Sequence, residues 1–195
     1  MAVDLELIFD IWLMMVALGP SVVALLVERY SGHARLVERH HSRHDTYAVS
    51  PQFTHAIAKG MLAASTMGIV LATMCMSKIF SASATLVLVF FDAFVLTAWL
   101  MWLGLCRFKV SLFQDRNGSG AGGEIVVTPF VGREICIVYN DIFSMRWTGI
   151  RRASGYRDLR ITTFNGKSAT IWAIVDIEQI LLHIDRFDAL APAGI

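Results

Sequence analysis

Hydrophobic residues form three long blocks in the first half of the chain. The blocks cover residues 5–27, 57–76 and 84–106. A helix of about 20 apolar residues crosses a hydrocarbon core about 30 Å thick, because each residue adds about 1.5 Å. The pattern therefore predicts a transmembrane region over residues 1–106, in which a basic connector (residues 28–56) and a short turn (residues 77–83) join three helices.

Beyond residue 106 the pattern changes from helical spacing to strict alternation. The alternating runs predict strands over residues 107–113, 124–130, 134–142, 145–150, 159–164 and 167–174. Asn165-Gly166, between the last two runs, is typical of a tight hairpin turn that needs positive φ. Apolar residues at helical spacing predict an amphipathic helix over 176–187, with Asp176 as its N-cap. We expect an α+β membrane protein with a small β-domain over residues 107–188 and a tail over 189–195.

Positive charge is distributed unevenly around the predicted helices. No Lys or Arg precedes the first helix, and Lys78 is the only one in the short turn over residues 77–83. The other cations near helix ends are in the connector or follow the third helix: Arg29, Arg35, Arg39, Arg43, Lys59, Arg107, Lys109 and Arg116. The positive-inside rule then places the N-terminus outside and both the connector and the β-domain in the cytoplasm.

Overall composition agrees with a membrane protein. The chain is 55% hydrophobic and only 17% charged, which is too apolar for an ordinary soluble domain. Its formal net charge of +1 provides no general attraction to nucleic acid, so we expect no nucleic-acid partner. The lipid bilayer is the first partner that the sequence predicts.

Two features of the predicted helices suggest how they are used. Gly60, Ala64, Gly68 and Ala72 recur every four residues in the second helix, which favours close packing against another helix of this chain or of a second copy. Asp92 is the only charged residue of the third block, and an acid in lipid normally faces a partner. That partner is either a neighbouring hydroxyl, with Ser65 or Thr66 the candidates, or another subunit; the alternative is a proton or ion pathway.

Two polar clusters lie outside the helices. His40 and His44 in the connector are four residues apart and could share a metal, but zinc sites usually need a third or fourth ligand, so we expect no metal and no other cofactor. A basic and aromatic cluster around one predicted loop is either a solvated loop that balances Asp141 and Asp158 or a surface that binds anionic lipid or a partner protein. Its members are Arg146, Trp147, Arg151, Arg152, Tyr156 and Arg157.

Several strands followed by one C-terminal amphipathic helix resemble the bacterial PH-like (pleckstrin-homology-like) domain family, whose members often follow a transmembrane hairpin. The resemblance is carried by Ile125-Val-Val-Thr-Pro-Phe, Tyr139-Asn140-Asp141-Ile142, Asp158-Leu159-Arg160-Ile161, Asn165-Gly166-Lys167 and the helix over 177–187. It implies a PH-like barrel with a binding or assembly role, and no catalytic residues.

The chain contains no GxSxG, Walker or GxGxxG signature, so we expect neither an enzyme nor a small-molecule substrate. The favoured hypothesis is a non-enzymatic scaffold or accessory subunit of the bacterial inner membrane that binds other membrane-protein subunits or itself. The alternatives are a small transporter or channel component that uses Asp92, and a metal- or pH-responsive sensor built on the histidine connector.

Overall fold

The computed structural model describes four stretches of the chain: residues 2–38, 44–113, 123–148 and 157–185. The chain divides into two compact units. The first, here called the helical unit, comprises Met1–Ala34 and Pro51–Leu105. The second, here called the β-unit, comprises Arg35–Ser50 and Cys106–Ile195.

Three long helices dominate the first half of the protein, as predicted. They are α1 (Ala2–Glu38), α2 (Pro51–Met76) and α3 (Ala84–Arg107). Each contains a stretch of 24 to 26 residues that is long and apolar enough to cross a membrane. Helix α2 begins six residues before the predicted start at residue 57. Pro51 opens it, which suits the first helical position because the missing N–H would have no partner there.

Each helix buries one narrow stripe of side chains. The stripes are Asp10, Leu13, Ala17, Ser21 and Ala24 in α1, Thr54, Ala58, Met61, Ser65, Gly68 and Ala72 in α2, and Leu88, Asp92, Val95, Trp102 and Leu105 in α3. Neighbouring members are mostly three or four residues apart, which follows the 3.6-residue turn and keeps them on one face. Most other apolar side chains of the helices are exposed, such as Phe90 at 69% and Leu100 at 64%.

The β-unit contains two antiparallel sheets. The four-stranded sheet has the order β1 (His44–Ala48), β2 (Lys109–Phe113), β3 (Glu124–Thr128) and β4 (Ile135–Val138). The three-stranded sheet has the order β5 (Ile142–Thr148), β6 (Asp158–Thr163) and β7 (Ser168–Ile171). A short 3-10 turn (Tyr139–Asp141) joins the two sheets, and helix α4 (Ile177–Asp185) follows β7. The predicted order of strands followed by one helix is therefore confirmed.

Strand β1 was not predicted. It lies in the segment interpreted as a basic connector, and it pairs along β2 from His44 opposite Phe113 to Ala48 opposite Lys109. Its sequence, HDTYA, carries no alternating apolar pattern, so only the pairing with β2 identifies it as a strand. The α2–α3 hairpin is therefore inserted between two adjacent strands of one sheet, and a β-domain that begins at residue 107 leaves out its first strand.

Alternation along the strands produces the core of the β-unit. Buried residues on neighbouring strands face each other in register, as Leu112 does with Ile125 and Leu159 with Ile171. Helix α4 buries Ile177, Ile180 and Ile184 along one face. Asp176 caps this helix as predicted, since the Gln179 N–H donates to Asp176 Oδ1 at 3.2 Å.

The hairpin between β6 and β7 differs from the predicted turn in length. The Thr163 N–H donates to Lys167 O at 2.9 Å, which leaves three residues in the loop rather than two. Gly166 has φ +75°, whereas Asn165 keeps negative φ. A three-residue hairpin with glycine in the left-handed position is a common alternative to the two-residue turn.

Candidate functional site

Polar side chains join the three helices inside the helical unit. The Ser65 hydroxyl of α2 lies 2.7 Å from the Ala17 carbonyl oxygen and 2.9 Å from the Ser21 hydroxyl, both in α1. At one end of the same unit, the Thr85 hydroxyl of α3 donates to Asp10 Oδ1 at 2.8 Å. These bonds hold α1 against both α2 and α3.

Two of the four small residues that were predicted to pack against another helix are buried in the structure. Gly68 and Ala72 are buried, Ala64 is half-buried and Gly60 is exposed. A Cβ at Gly68 would lie 2.7 Å from the Cβ of Phe91, so α2 and α3 approach closely there. A strict four-residue spacing turns about 40° per step around a helix of 3.6 residues per turn, so such a row cannot stay on one interface.

Asp92 lies inside the helical unit with 5% of its surface exposed. Neither predicted hydroxyl partner bonds to it: Ser65 bonds within α2 and to α1, and Thr66 bonds to backbone carbonyls of its own helix. Within the described part of the chain, neither carboxyl oxygen has a hydrogen-bond partner, and the same holds for the indole nitrogens of Trp99 and Trp102. Among the residues that the structure describes, helix α3 therefore carries three polar side chains without a hydrogen-bond partner: Asp92, Trp99 and Trp102.

The contacts between α1 and α3 show how far along the helices Asp92 lies. Asp10 bonds to Thr85, and seven residues further along each helix lie Ala17 and Asp92. Leu13 and Leu88 share one buried cluster between these levels, so the two helices run parallel. Asp92 is thus at the level of the Ala17 carbonyl that Ser65 contacts, about 10 Å beyond Thr85 at 1.5 Å per residue.

In the β-unit, three exposed aromatic side chains lie on strand β5 or in the loop between β6 and β7. Phe143 is 58% exposed, Trp147 51% and Phe164 69%. The rings of Phe143 and Phe164 meet edge to face, with centroids 5.2 Å apart. We call these three residues the β5 edge patch, because β5 is an edge strand of the three-stranded sheet.

A β-bulge explains the position of Phe143. The pairing register between β5 and β6 shifts between Ile142 and Ser144, which leaves Phe143 without a paired residue. A bulge redirects the extra side chain, here toward Phe164 in the β6–β7 loop. The Phe164 N–H donates to Asp141 O at 3.0 Å and closes the end of the strand pair.

The structure divides the predicted basic and aromatic cluster. Arg146 lies opposite Arg160, and Trp147 lies opposite the buried Leu159, so the two neighbours on β5 face opposite sides of the sheet. Arg157 is exposed just before β6. Arg151, Arg152 and Tyr156 lie outside the described residues.

Sequence reasoning missed Phe143, Phe164 and Arg160. Phe164 directly precedes Asn165-Gly166, so its place in a turn already indicated an exposed ring. Phe143 had no such signal, because the bulge arises from pairing with a distant strand. Arg160 became a neighbour of Arg146 only through the register of β5 and β6.

The histidine connector gives no metal site in the described part of the chain. His40 lies outside the described residues, and the backbone of His44 begins β1. Among the residues that could be searched, no group of three or more His, Cys, Asp or Glu side chains is placed to hold a metal ion.

Known proteins add no assignment to these sites. The protein matches no family model, and neither the search of curated proteins nor the search of solved structures finds a match.

Proposed function

We propose that the protein is a non-enzymatic accessory or scaffold subunit of the bacterial inner membrane. Its helices anchor it in the bilayer, and its β-unit binds a protein partner in the cytoplasm. The observation that carries this proposal is the β5 edge patch, where the exposed rings of Phe143 and Phe164 are in contact and Trp147 is exposed further along the same strand. Such patches on a soluble surface mark interaction sites.

Insertion of the helices is supported by what they leave exposed. Only narrow stripes are buried, while apolar side chains such as Phe94 (56% exposed) and Leu86 (72%) cover the remaining surface. In water that surface would drive aggregation, but in lipid it matches the solvent. The buried stripes, with Gly68 and the serines, supply the close packing and interhelical hydrogen bonds that helices use in a membrane.

Pairing of β1 with β2 supports the proposed topology. The two strands flank the α2–α3 hairpin in sequence and belong to one sheet, so a bilayer cannot separate them. Two spans between them return the chain to the same side. This agrees with the positive charge in both flanking segments, which argues for the cytoplasmic side.

A PH-like architecture for the β-unit is supported by its element order. Four antiparallel strands, then three, then one C-terminal helix follow the order that suggested the resemblance. In this proposal the first strand comes from before the α2–α3 hairpin, and the hairpin occupies the connection between the first two strands. The unit then binds rather than catalyses.

The β5 edge patch suits a partner that adds a strand or a short apolar segment. An edge strand presents backbone groups that another chain can pair with. Phe143 and Phe164 form one continuous aromatic surface, because their rings are in contact. Both are flanked by polar or basic positions, including the exposed Arg146. The partner is therefore another protein, or a second copy of this chain, that offers apolar side chains.

Site-specific photo-crosslinking in native membranes tests this proposal. A crosslinking amino acid in place of Phe143 or Phe164 should give one discrete product, and the same amino acid at Leu182, which is exposed on helix α4 and outside the β5 edge patch, should give none. Phe143→Asp combined with Phe164→Asp should then release the crosslinked partner from the complex purified in detergent. A monomer without any crosslinked product at either aromatic position contradicts the proposal.

Asp92 favours a second candidate function, proton- or cation-coupled transport. A carboxyl group that is 5% exposed and has no hydrogen-bond partner among the described residues is costly unless a proton, a cation or a further subunit satisfies it. Flux of protons and monovalent cations into proteoliposomes tests this function. Asp92→Asn should abolish the flux and Asp92→Glu should retain part of it; equal flux in all three proteins removes the candidate.

A further inference from the structure

We propose that the turn between β3 and β4, residues 129–134, inserts its tip into the interfacial region of the membrane that holds the helices. Val131 enters at acyl-chain level, and the cations around it meet the anionic headgroups. The inference uses the proposed membrane insertion, but not the protein-binding role of the β5 edge patch.

The first observation fixes the turn to the end of a candidate membrane span. The Arg107 guanidinium donates a hydrogen bond to the carbonyl oxygen of Gly132. Both residues belong to the β-unit, and Arg107 is also the last residue of α3. The turn is therefore bonded to the residue at which the third candidate span ends.

The second observation is the exposure of Val131. It is 86% exposed, the highest fraction among the exposed large hydrophobic residues of the described chain. The next residue, Gly132, has φ +105°, a conformation that a side chain would strain, and a Cβ there would meet nothing within 4 Å. The backbone thus turns sharply and presents an apolar side chain at its tip, which is costly in water and favourable at a lipid interface.

The third observation is an aromatic base that holds the turn. The ring of Phe130, the residue before Val131, stacks on Phe108 with centroids 4.9 Å apart. It also meets Trp172 edge to face at 5.7 Å. Phe108 follows Arg107 directly and is 1% exposed, whereas Trp172 is 41% exposed. Partly exposed tryptophan next to the end of a span is typical of the interfacial belt.

Charge around the turn suits an anionic membrane surface. Arg107, Lys109 and Arg133 are all exposed, and Lys109 lies opposite the last residue of β3. Exposed cations near such a surface are attracted to its anionic headgroups. The turn itself carries one acid, Glu134, whose Oε1 accepts a hydrogen bond from Thr128 Oγ1 at 3.1 Å. The cations therefore outnumber the acid at this end of the β-unit.

Depth-dependent fluorescence quenching tests the inference. The three cysteines, Cys75, Cys106 and Cys136, are first replaced by serine. One bimane label is then attached at Val131→Cys or Arg133→Cys, and the full chain is reconstituted into phosphatidylcholine/phosphatidylglycerol vesicles that carry a nitroxide at the shallow end of the acyl chain. Two further labels serve as references: Leu100→Cys on the exposed face of α3, and Phe143→Cys in the β5 edge patch.

We expect the nitroxide lipid to quench the label at position 131 at least about twofold more than the label at 143, as expected for a side chain at the interface. Quenching at 133 should be intermediate. If Leu100→Cys is quenched and position 131 is no more quenched than 143, the inference is wrong while membrane insertion stands. If Leu100→Cys is itself not quenched, membrane insertion fails and the inference fails with it.

Discussion

The two units of this protein differ in which of their apolar side chains they bury. In the β-unit, alternate residues such as Ile125 and Ile161 are fully buried, and in β6 polar residues occupy the other side of the strand. In the helical unit, burial is confined to one stripe per helix, and large apolar side chains such as Phe90 remain exposed. The first pattern is typical of a domain in water, and the second is typical of helices that are long and apolar enough to cross a membrane.

The comparison also shows that a boundary in composition is not a boundary in the fold. The apolar α2–α3 hairpin ends at Arg107, and the β-unit continues directly after it, yet the first strand of that unit precedes the hairpin. Each unit is therefore discontinuous in sequence.

Removing the hairpin should leave the β-unit able to fold in water. Ala48 lies opposite Lys109, so a short glycine linker from residue 50 to residue 107 can replace α2 and α3 by a simple strand-to-strand turn. The fragment made of residues 44–50, the linker and residues 107–188 should be soluble and cooperatively folded by circular dichroism. The fragment 107–188 alone should unfold or aggregate, since burial of Val49 alone contributes about 1.5–3 kcal/mol.

Equal behaviour of the two fragments would contradict the assignment of β1 to the sheet. A fragment with β1 that is mainly helical would contradict the β-unit itself.

Truncation of a buried side chain should destabilise the β-unit, whereas truncation of an exposed side chain should have little effect. Ile161→Ala removes a side chain that is 0% exposed and should lower the free energy of unfolding of the β-unit by about 2–5 kcal/mol. Leu182→Ala, at a position 63% exposed on α4, is the matched control and should change it by less than about 0.5 kcal/mol. Urea unfolding of the fragment that carries the glycine linker measures both changes in stability. Similar losses of stability in the two variants would show that Ile161 does not lie in the core.

Two glycines of α2 should respond to alanine with opposite signs. Gly68→Ala places a Cβ 2.7 Å from Phe91 and should destabilise the helical unit by about 1–3 kcal/mol. Gly60→Ala meets nothing within 4 Å and should stabilise it by about 0.5–1 kcal/mol, because glycine weakens helices. The thermal unfolding midpoint of the full chain in detergent reports both. A loss at Gly60 would mean that another chain packs on this surface.

The smallest effect is expected at the start of α4. Asp176→Ala removes the carboxylate that accepts a hydrogen bond from the Gln179 N–H, and should cost about 0.5–2 kcal/mol. Asp176→Asn keeps an acceptor at this position and should cost less. Urea unfolding of the linked fragment distinguishes them, and equal losses for the two variants would show that the cap contributes nothing.

Local sequence patterns predicted an element correctly wherever the segment that forms it has its own hydrophobic periodicity or capping residue. Length and apolar composition predicted the three helices, alternation predicted most strands, and Asp176 with its following periodicity predicted α4. The candidate sites were less predictable. Asp92 was identified because a lone acid in an apolar block stands out, but its lack of a partner depends on where the hydroxyls of Ser65 and Thr66 point.

Residues close in sequence were enough to identify the three helices that are long and apolar enough to cross a membrane, and the type of most other elements. Tertiary structure decided that residues 44–48 form a strand, because a short polar segment becomes a strand only when β2 supplies its hydrogen bonds. It also decided that Phe143 and Phe164 meet, and that Arg107 bonds to Gly132. These contacts join residues far apart in the chain, and no local pattern encodes such pairs.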